Sequence, residues 1–337
     1  MKKSNNPLLY LLSWLYGLGV GLRNFLFNQG ILKQQSYPIP LICVGNITVG
    51  GTGKTPHVEL LISILRKQYR IAVISRGYKR KSRGLREVTL TSTAEEVGDE
   101  PKQIKQKYPE VRFVVDGNRR RAMRYLLALP EGERPDVVLL DDGFQHRYVH
   151  PSFSILLIDA QRELHDDELL PLGGLREPAT ARYRADCIIL TKCPHDMQPI
   201  TLRIMQRNLD LYAHQEIFFS RISYQQPRAV RTLLGDTGSP LPKDALIIAL
   251  SGIASPGLFF TYLGERYELI DQLVYPDHHQ FRPKDFTAIS ERWQELCEQY
   301  SGRPVYIVCT EKDAVRFTDS LGELPAELVK QLYFLPI

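Results

Sequence analysis

Leu41-Ile42-Cys43-Val44-Gly45-Asn46-Ile47-Thr48-Val49-Gly50-Gly51-Thr52-Gly53-Lys54-Thr55-Pro56 decides how the rest of the chain is read. Its first four residues are a short aliphatic run of the kind that forms a buried strand. Downstream, Pro56–Gln68 places Val58, Leu61, Ile64 and Leu65 on one face of a helix. Between the two, glycines let successive backbone N–H groups turn inward on phosphate oxygens, and the helix amino terminus favours the same anion. Asn46, Thr48, Gly50, Gly51, Thr52, Gly53, Lys54 and Thr55 are therefore the candidate nucleotide-binding residues. Lys54 is placed to reach the β- and γ-phosphates, and the Thr55 hydroxyl to bind Mg²⁺. The glycine that such loops carry five residues before Gly53 is Thr48 here, and Gly50 and Gly51 are expected to replace it. Pro56 is tolerated in a first helical turn, where its missing N–H has no partner to lose.

Outward from this loop the chain alternates strand, loop and helix. Leu41–Val44, Ile71–Ile74, Phe113–Val115, Val137–Leu140, Ile155–Ile158 and Ile188–Leu190 read as buried strands with helical stretches between several of them. That alternation predicts a P-loop NTPase-like α/β fold, a mostly parallel sheet with helices on both faces. The loops at the carboxyl ends of its strands gather on one edge, where ligands bind. Around 223–243 the composition shifts to Gln, Pro, Arg, Thr and Gly, which reads as a linker. Beyond it, strands near Ala245–Leu250 and Val305–Cys309, with helices near Gly257–Tyr267 and Pro283–Tyr300, predict a smaller α/β subdomain. The expected organisation is an apolar amino-terminal helix in 1–33, a P-loop core in 34–222, the linker, and a carboxyl-terminal subdomain in 244–337.

Composition narrows the classes of function. Of 337 residues, 43% are hydrophobic and 24% charged, which excludes wholesale disorder and collagen-like structure. Lys and Arg number 43 against 38 Asp and Glu, a net charge of +5 that is too small to imply nucleic acid. The five cysteines are scattered, so neither a zinc knuckle nor a secreted disulfide scaffold fits, and a reduced compartment is expected. The most apolar stretch runs from Pro7 to Val20 and is closed by Arg23 and Asn24. The 16 residues between Asn6 and Arg23 fall short of the roughly 20 that cross a bilayer. A helix packed on the protein's own core and an interfacial helix, with Tyr10, Trp14 and Tyr16 at headgroup depth, both fit this pattern.

A phosphate loop needs a carboxylate from the end of another strand, and Val137-Val138-Leu139-Leu140-Asp141-Asp142-Gly143-Phe144-Gln145-His146 supplies two. If the strand continues, Asp141 and Asp142 point to opposite sides and one of them faces the metal. Gly98-Asp99-Glu100-Pro101 and Tyr275-Pro276-Asp277-His278-His279 read, on their own, as acidic surface turns. Leu169–Pro178 carries adjacent Arg176 and Glu177 between glycines and a proline, a cation beside a metal-ligand type. Basic runs at Arg76–Arg86 and at Arg119, Arg120, Arg121 and Arg124 read first as solvated faces, although the former leaves a strand's carboxyl end and suits an anionic substrate or lipid headgroup.

Taken in order, Gly45–Pro56, Ser75-Arg76-Gly77-Tyr78, Gly98-Asp99-Glu100-Pro101, Asp141–His146, Leu175-Arg176-Glu177-Pro178, Asp277-His278 and Thr310-Glu311-Lys312-Asp313-Ala314-Val315 resemble the tetraacyldisaccharide 4'-kinase (lipid A 4'-kinase) family. The likeness extends to about residue 317. One departure is Gly174, where many relatives have proline, and it is expected to loosen the loop before Arg176. The resemblance implies ATP- and Mg²⁺-dependent transfer of a γ-phosphoryl group to the 4'-hydroxyl of a tetraacylated glucosamine disaccharide 1-phosphate, forming lipid IVA. It implies Asp99 as the group that accepts the hydroxyl proton, with His278 as its dyad partner, and Lys54 as a third catalytic residue. Thr55, Asp141, Asp142 and Glu177 then fall in the magnesium neighbourhood, and Arg76, Glu100, Gln145, His146 and Arg176 near substrate or phosphate. It further implies a peripheral or monotopic enzyme on the cytoplasmic face of a bacterial inner membrane, acting without an obligate protein partner. The lipid acceptor favours the interfacial reading of the amino-terminal segment. Rival readings are a P-loop GTPase or metallochaperone-type switch, a membrane adaptor without activity, and a soluble small-metabolite kinase. The guanine-reading motif is missing, because Thr191-Lys192-Cys193-Pro194 ends in proline and Thr310-Glu311-Lys312-Asp313 has the wrong spacing.

Overall fold

The chain was analysed as a computed structural model, which describes residues 6–162, 164, 167–194, 196–277, 279–318 and 320–337. In chain order the elements are α1 (Pro7–Asn28), β1 (Leu41–Gly45), α2 (Lys54–Leu65), β2 (Ile71–Ser75), β3 (Arg86–Val88), α3 (Ala94–Val97), α4 (Asp99–Lys107), β4 (Arg112–Val115), α5 (Arg119–Leu127), β5 (Val137–Asp141), β6 (Phe153–Asp159) and β7 (Cys187–Thr191). There follow α6 (Pro199–Asn208), β8 (Glu216–Phe219), β9 (Arg228–Ala229), β10 (Leu246–Ser251), α7 (Gly257–Gly264), β11 (Glu268–Val274), α8 (Pro283–Gln299), β12 (Val305–Thr310), α9 (Glu311–Thr318), α10 (Ala326–Lys330) and β13 (Leu332–Leu335).

Two compact units result. The first holds the residues up to Gly77, Ser82–Thr89 and Tyr108–Ile222. Its eight strands run β3-β4-β2-β5-β1-β6-β7-β8, all parallel except the edge strand β3, which pairs antiparallel to β4. β1, β2 and β5 are almost wholly buried, which is why they read as continuous aliphatic runs rather than alternating ones. Leu41, Cys43, Ile74, Val138, Leu140 and Leu156 share one core under the helices. Because β1 lies between β5 and β6, the loop after β1 emerges beside Asp141 and Asp142 at the carboxyl edge.

The second unit holds Tyr78–Lys81, Leu90–Lys107 and Ser223–Ile337. Its sheet runs β11-β10-β12-β13-β9, parallel apart from β9. Two expectations are corrected here. Residues 78–81 and 90–107, placed by the sequence in a continuous core at 34–222, belong to the second unit. The stretch 223–243 is not a bare linker: Arg228 and Ala229 form β9, and Ala229 and Val230 are buried in the second unit. Turn-forming composition concealed two pairing residues, too short a run for any periodicity to show.

Helix α1 lies within the expected 1–33 and continues past Arg23 and Asn24, which close the most apolar stretch, to Asn28. Its inner face is built from polar contacts. The Ser13 hydroxyl donates to the Leu169 carbonyl (2.8 Å), the Tyr16 hydroxyl to the Arg176 carbonyl (2.9 Å), Arg23 to the Gln145 carbonyl (2.6 Å), and Asn24 to Glu177 (3.1 Å). Leu8, Leu11, Leu15, Leu18, Leu22 and Phe25 form the opposite stripe and are exposed. Phe27 is buried on the inner side against Tyr148, so that side combines these polar contacts with one aromatic anchor while the leucines face outward. Among the described residues no helix is long and apolar enough to cross a membrane.

Candidate active site

The loop between β1 and α2 is set from behind. Gln145 donates to the Asn46 carbonyl (2.7 Å), the Arg176 N–H to that of Ile47 (2.7 Å), and Arg162 to that of Val49 (3.0 Å). Thr191 donates to the Thr52 carbonyl (3.0 Å) and the His57 ring to the Gly53 carbonyl (2.7 Å). With these oxygens bonded outward, the amides of Gly50, Gly51, Thr52, Gly53, Lys54 and Thr55 make no hydrogen bond among the described residues. Gly50 and Gly53 adopt positive φ, +101° and +82°, a backbone that other residues enter only under strain. A Cβ added at Gly50 or Gly51 would meet nothing within 4 Å, so the space before the loop is open. No side chain caps α2 at Gly53. A row of unanswered donors at a helix amino terminus is an anion cradle.

His57 belongs to that support and was not singled out from sequence. A carbonyl only accepts, so Nδ1 carries the hydrogen toward Gly53, and Nε2 accepts from the Ser220 hydroxyl at 3.0 Å. Burial lowers its pKa and keeps the ring neutral, although the Gly53 hydrogen bond opposes the shift. Asn46 and Thr52, both buried, are joined side chain to side chain at 2.9 Å, and Thr48 pairs with Leu175. Gly174 does not loosen its loop. Its N–H donates to Asp167, its carbonyl accepts from Val49, and the place a Cβ would take is filled by the Arg162 guanidinium.

β5 ends at Asp141, and Asp142 turns into the left-handed region, φ +48°, so the two do not alternate along a continuing strand. Asp142 lies 3.5 Å from the Lys54 ammonium and 3.2 Å from the Arg176 guanidinium. Burial opposes its ionisation, yet Lys54, Arg176 and Arg119 together hold its carboxyl below the ordinary range. Asp141 is buried beside it. Glu177, 1% exposed, gives one carboxylate oxygen to Arg184 (2.6 Å) and Asn24 (3.1 Å), while the other is buried with no hydrogen bond among the described residues.

Arg119 corrects the reading of its cluster as a solvated face. It is 4% exposed, at the start of α5 where β4 delivers it to the same edge. Burial lowers its pKa against the pull of Asp142 and Asp141. The signal lay in Asp116-Gly117-Asn118, a strand-end turn whose Asn118 caps α5 by accepting from the Arg121 N–H. Arg121 is exposed and pairs with Asp116 at 2.6 Å. His146 is driven down to about 4 by burial and by Arg119, Arg23, Arg120 and Arg76. A neutral imidazole among four guanidinium groups marks a place where the protein expects negative charge. Arg76 itself, directly after β2, is exposed.

Asp99 and Glu100 lie in the second unit, at the start of α4. There Arg316 holds Asp99 at 2.8 Å, and Lys312 holds Glu100 at 3.0 Å and Asp277 at 3.8 Å. His278 lies outside the described residues. The first unit thus brings together Asn46, Thr48, Gly50–Thr55, Arg76, Asp141, Asp142, Gln145, His146, Arg176 and Glu177, and the second collects Asp99 and Glu100.

The chain is similar to known proteins over nearly its whole length. A family model described as tetraacyldisaccharide-1-P 4'-kinase matches residues 5–337. Curated tetraacyldisaccharide 4'-kinases from Porphyromonas gingivalis and Parabacteroides distasonis are 48% and 46% identical, each over 98% of this chain and over 92% and 89% of their own length. The crystal structure of LpxK from Aquifex aeolicus in complex with ATP superposes with a TM-score of 0.72 at 28% identity, covering 97% of this chain and 92% of that one. With an anion cradle, its lysine and its strand-end carboxylates in place over a match of this extent, the chain belongs to the tetraacyldisaccharide-1-P 4'-kinase family.

Proposed function

We propose that this chain transfers the γ-phosphoryl group of ATP to the 4'-hydroxyl of a tetraacylated glucosamine disaccharide 1-phosphate at a membrane surface. The observation that carries the nucleotide half is the loop whose carbonyls are bonded outward and whose amides from Gly50 to Thr55 are left for phosphate oxygens. Those amides hold the triphosphate, and Lys54 neutralises its outer end by exchanging Asp142 for phosphate oxygens. Arg176 keeps Asp142 ionised throughout. Arg76, Arg119 and neutral His146 draw in the phosphate-bearing acceptor, with Gln145 fixing the loop from below. Asp99 takes the proton of the attacking hydroxyl, with His278 as its partner and Glu100 beside it. A carboxylate is a sufficient base because bond breaking leads proton transfer in a loose transition state.

The residues also fit magnesium. Thr55, Asp141, Asp142 and Glu177 would hold it, and the buried, unbonded oxygen of Glu177 is a donor of the required kind. When bound, the ion neutralises charge across the β- and γ-phosphates. Among the described residues no three carboxylate, imidazole or thiol groups gather closely enough to hold an ion by themselves, so these side chains would share it with the nucleotide's phosphates.

The acceptor's acyl chains stay in the bilayer, so the enzyme must meet it there. The exposed stripe of α1 supplies the apolar face, and a groove of about 620 Å³ runs beside it, lined by Trp14, Leu18, Leu22, Leu169 and Leu172. This supports a peripheral or monotopic protein on the cytoplasmic face of the inner membrane. Incubating the purified protein with γ-labelled ATP and the disaccharide 1-phosphate in mixed micelles should place label on the non-reducing sugar. Label released only as inorganic phosphate, or a strong preference for GTP in competition, would defeat the assignment.

A further inference from the structure

The Thr310–Val315 motif was legible in the sequence without a task to attach to it, and the second unit supplies one. Asp313 is completely buried in α9. It accepts from the Thr310 hydroxyl at 2.6 Å, the Gly252 N–H at 2.8 Å and Arg316 at 2.7 Å. A buried carboxylate with that many donors is fixed in one rotamer. Arg316, its side chain 5% exposed, is gripped on the other side by the Gly252 carbonyl at 3.2 Å. Its remaining nitrogens, Nε and Nη2, both reach Oδ2 of Asp99 at 2.8 Å. Three more pairs join the same two helices: Lys312 with Glu100, Lys102 with Thr318, and Lys107 with Glu311.

We propose that Arg316, oriented by Asp313, is a positioning residue of the kinase, which fixes the rotation of the Asp99 carboxylate and holds it ready to receive the hydroxyl proton. This rests on the assignment of Asp99 as the base. The Nε–H donates to that oxygen while the guanidinium charge lies against it, and a charge-assisted hydrogen bond from a side chain that is itself locked holds the carboxylate in one position. The series Asp313, Arg316, Asp99 has the logic of a catalytic group oriented by a second residue that is locked by a third. The phosphate cradle itself is made of first-unit residues.

Steady-state kinetics on the full-length protein test this. Asp99→Asn should lower kcat by about 10³-fold, the cost of a lost general base in the middle of the usual span. Arg316→Gln should lower kcat by about 10²-fold, a misplacement-sized loss, with the KM for ATP within twofold of the parent. Arg316→Lys should recover at least tenfold of that loss, and Arg316→Gln added to Asp99→Asn should cost nothing more. A near-parental kcat for Arg316→Gln beside an inactive Asp99→Asn would overturn the positioning role and leave the base assignment standing. A double variant whose losses multiply would show that Arg316 acts elsewhere and overturn it too. Parental turnover in Asp99→Asn would remove the base assignment, and the positioning role with it. If thermal melting shows that Arg316→Gln does not fold, Arg316→Lys with and without Asp99→Asn gives the same comparison: a severalfold loss of kcat that vanishes in the double variant supports the proposal, and none in the single variant overturns it.

Discussion

Asp142 is shared unequally between two cations. Arg176 approaches both of its oxygens, at 3.2 and 3.3 Å, and Lys54 one of them at 3.5 Å. The looser partner is the one that must leave for a phosphate, so Lys54→Ala should spare the fold while removing charge neutralisation from the transition state. We expect a drop in kcat of about 10³-fold, or about 4 kcal/mol, with an unchanged melting temperature; an equal loss of thermal stability would mean that the lysine is structural. His146 carries a pH signature. Its native pKa of about 4 lies below the ordinary 6.5, so the unfolded chain binds the extra proton first as pH falls. Stability is complete above pH 6.5 and declines between there and pH 4. Partial exposure screens the effect to roughly 1–2 kcal/mol, and His146→Asn should flatten the plot of melting temperature against pH in that window. At this scale the cradle was legible because its residues are neighbours in sequence. Arg119, Arg316 and His57 were not, because what buries them is supplied by carboxylates and carbonyls elsewhere in the chain.

Among the elements, α1 is the one whose role composition left undecided. A core-packed helix and an interfacial helix share one hydrophobicity profile; they differ in which face meets the protein. Ser13, Tyr16, Arg23 and Asn24 anchor the inner face, and large apolar side chains such as Trp14 and Leu18 stay out. Trp14→Glu with Leu18→Glu should cut co-sedimentation with anionic vesicles at least tenfold, since each side chain contributes about 1.5–3 kcal/mol when buried, while the melting temperature holds. Unchanged vesicle binding would assign the stripe to another partner. The central strands were readable from their aliphatic runs. Short edge strands such as β3 and β9, and α4 with Ile104 as its one large apolar residue, carried no periodic pattern to read.

Across the whole molecule the two units are interleaved, since the chain leaves the first after Gly77, returns at Ser82, leaves again at Leu90 and returns at Tyr108 before its last departure at Ser223. A fragment of residues 223–337 therefore lacks α4, and with it Asp99 and Glu100, two of the carboxylates that pair with Arg316 and Lys312. Losing a partner from such half-buried ion pairs costs between about 1 kcal/mol, as for an exposed pair, and about 3–5 kcal/mol, as for a buried one, against a total stability of about 5–15 kcal/mol for a typical domain. That fragment should show no cooperative thermal transition by circular dichroism, and a sharp melt like that of the intact chain would refute the dependence. By itself the sequence determined the parallel sheet, the phosphate loop at the end of its first strand and the aspartates beside it, because each is written in residues adjacent along the chain. Only the tertiary structure decided which arginines are buried, which face of α1 is turned outward and that α4 belongs with α9. Those outcomes depend on contacts between segments as far apart as Asp99 and Arg316, and burial and ion pairing are properties of the packed molecule, not of any local stretch.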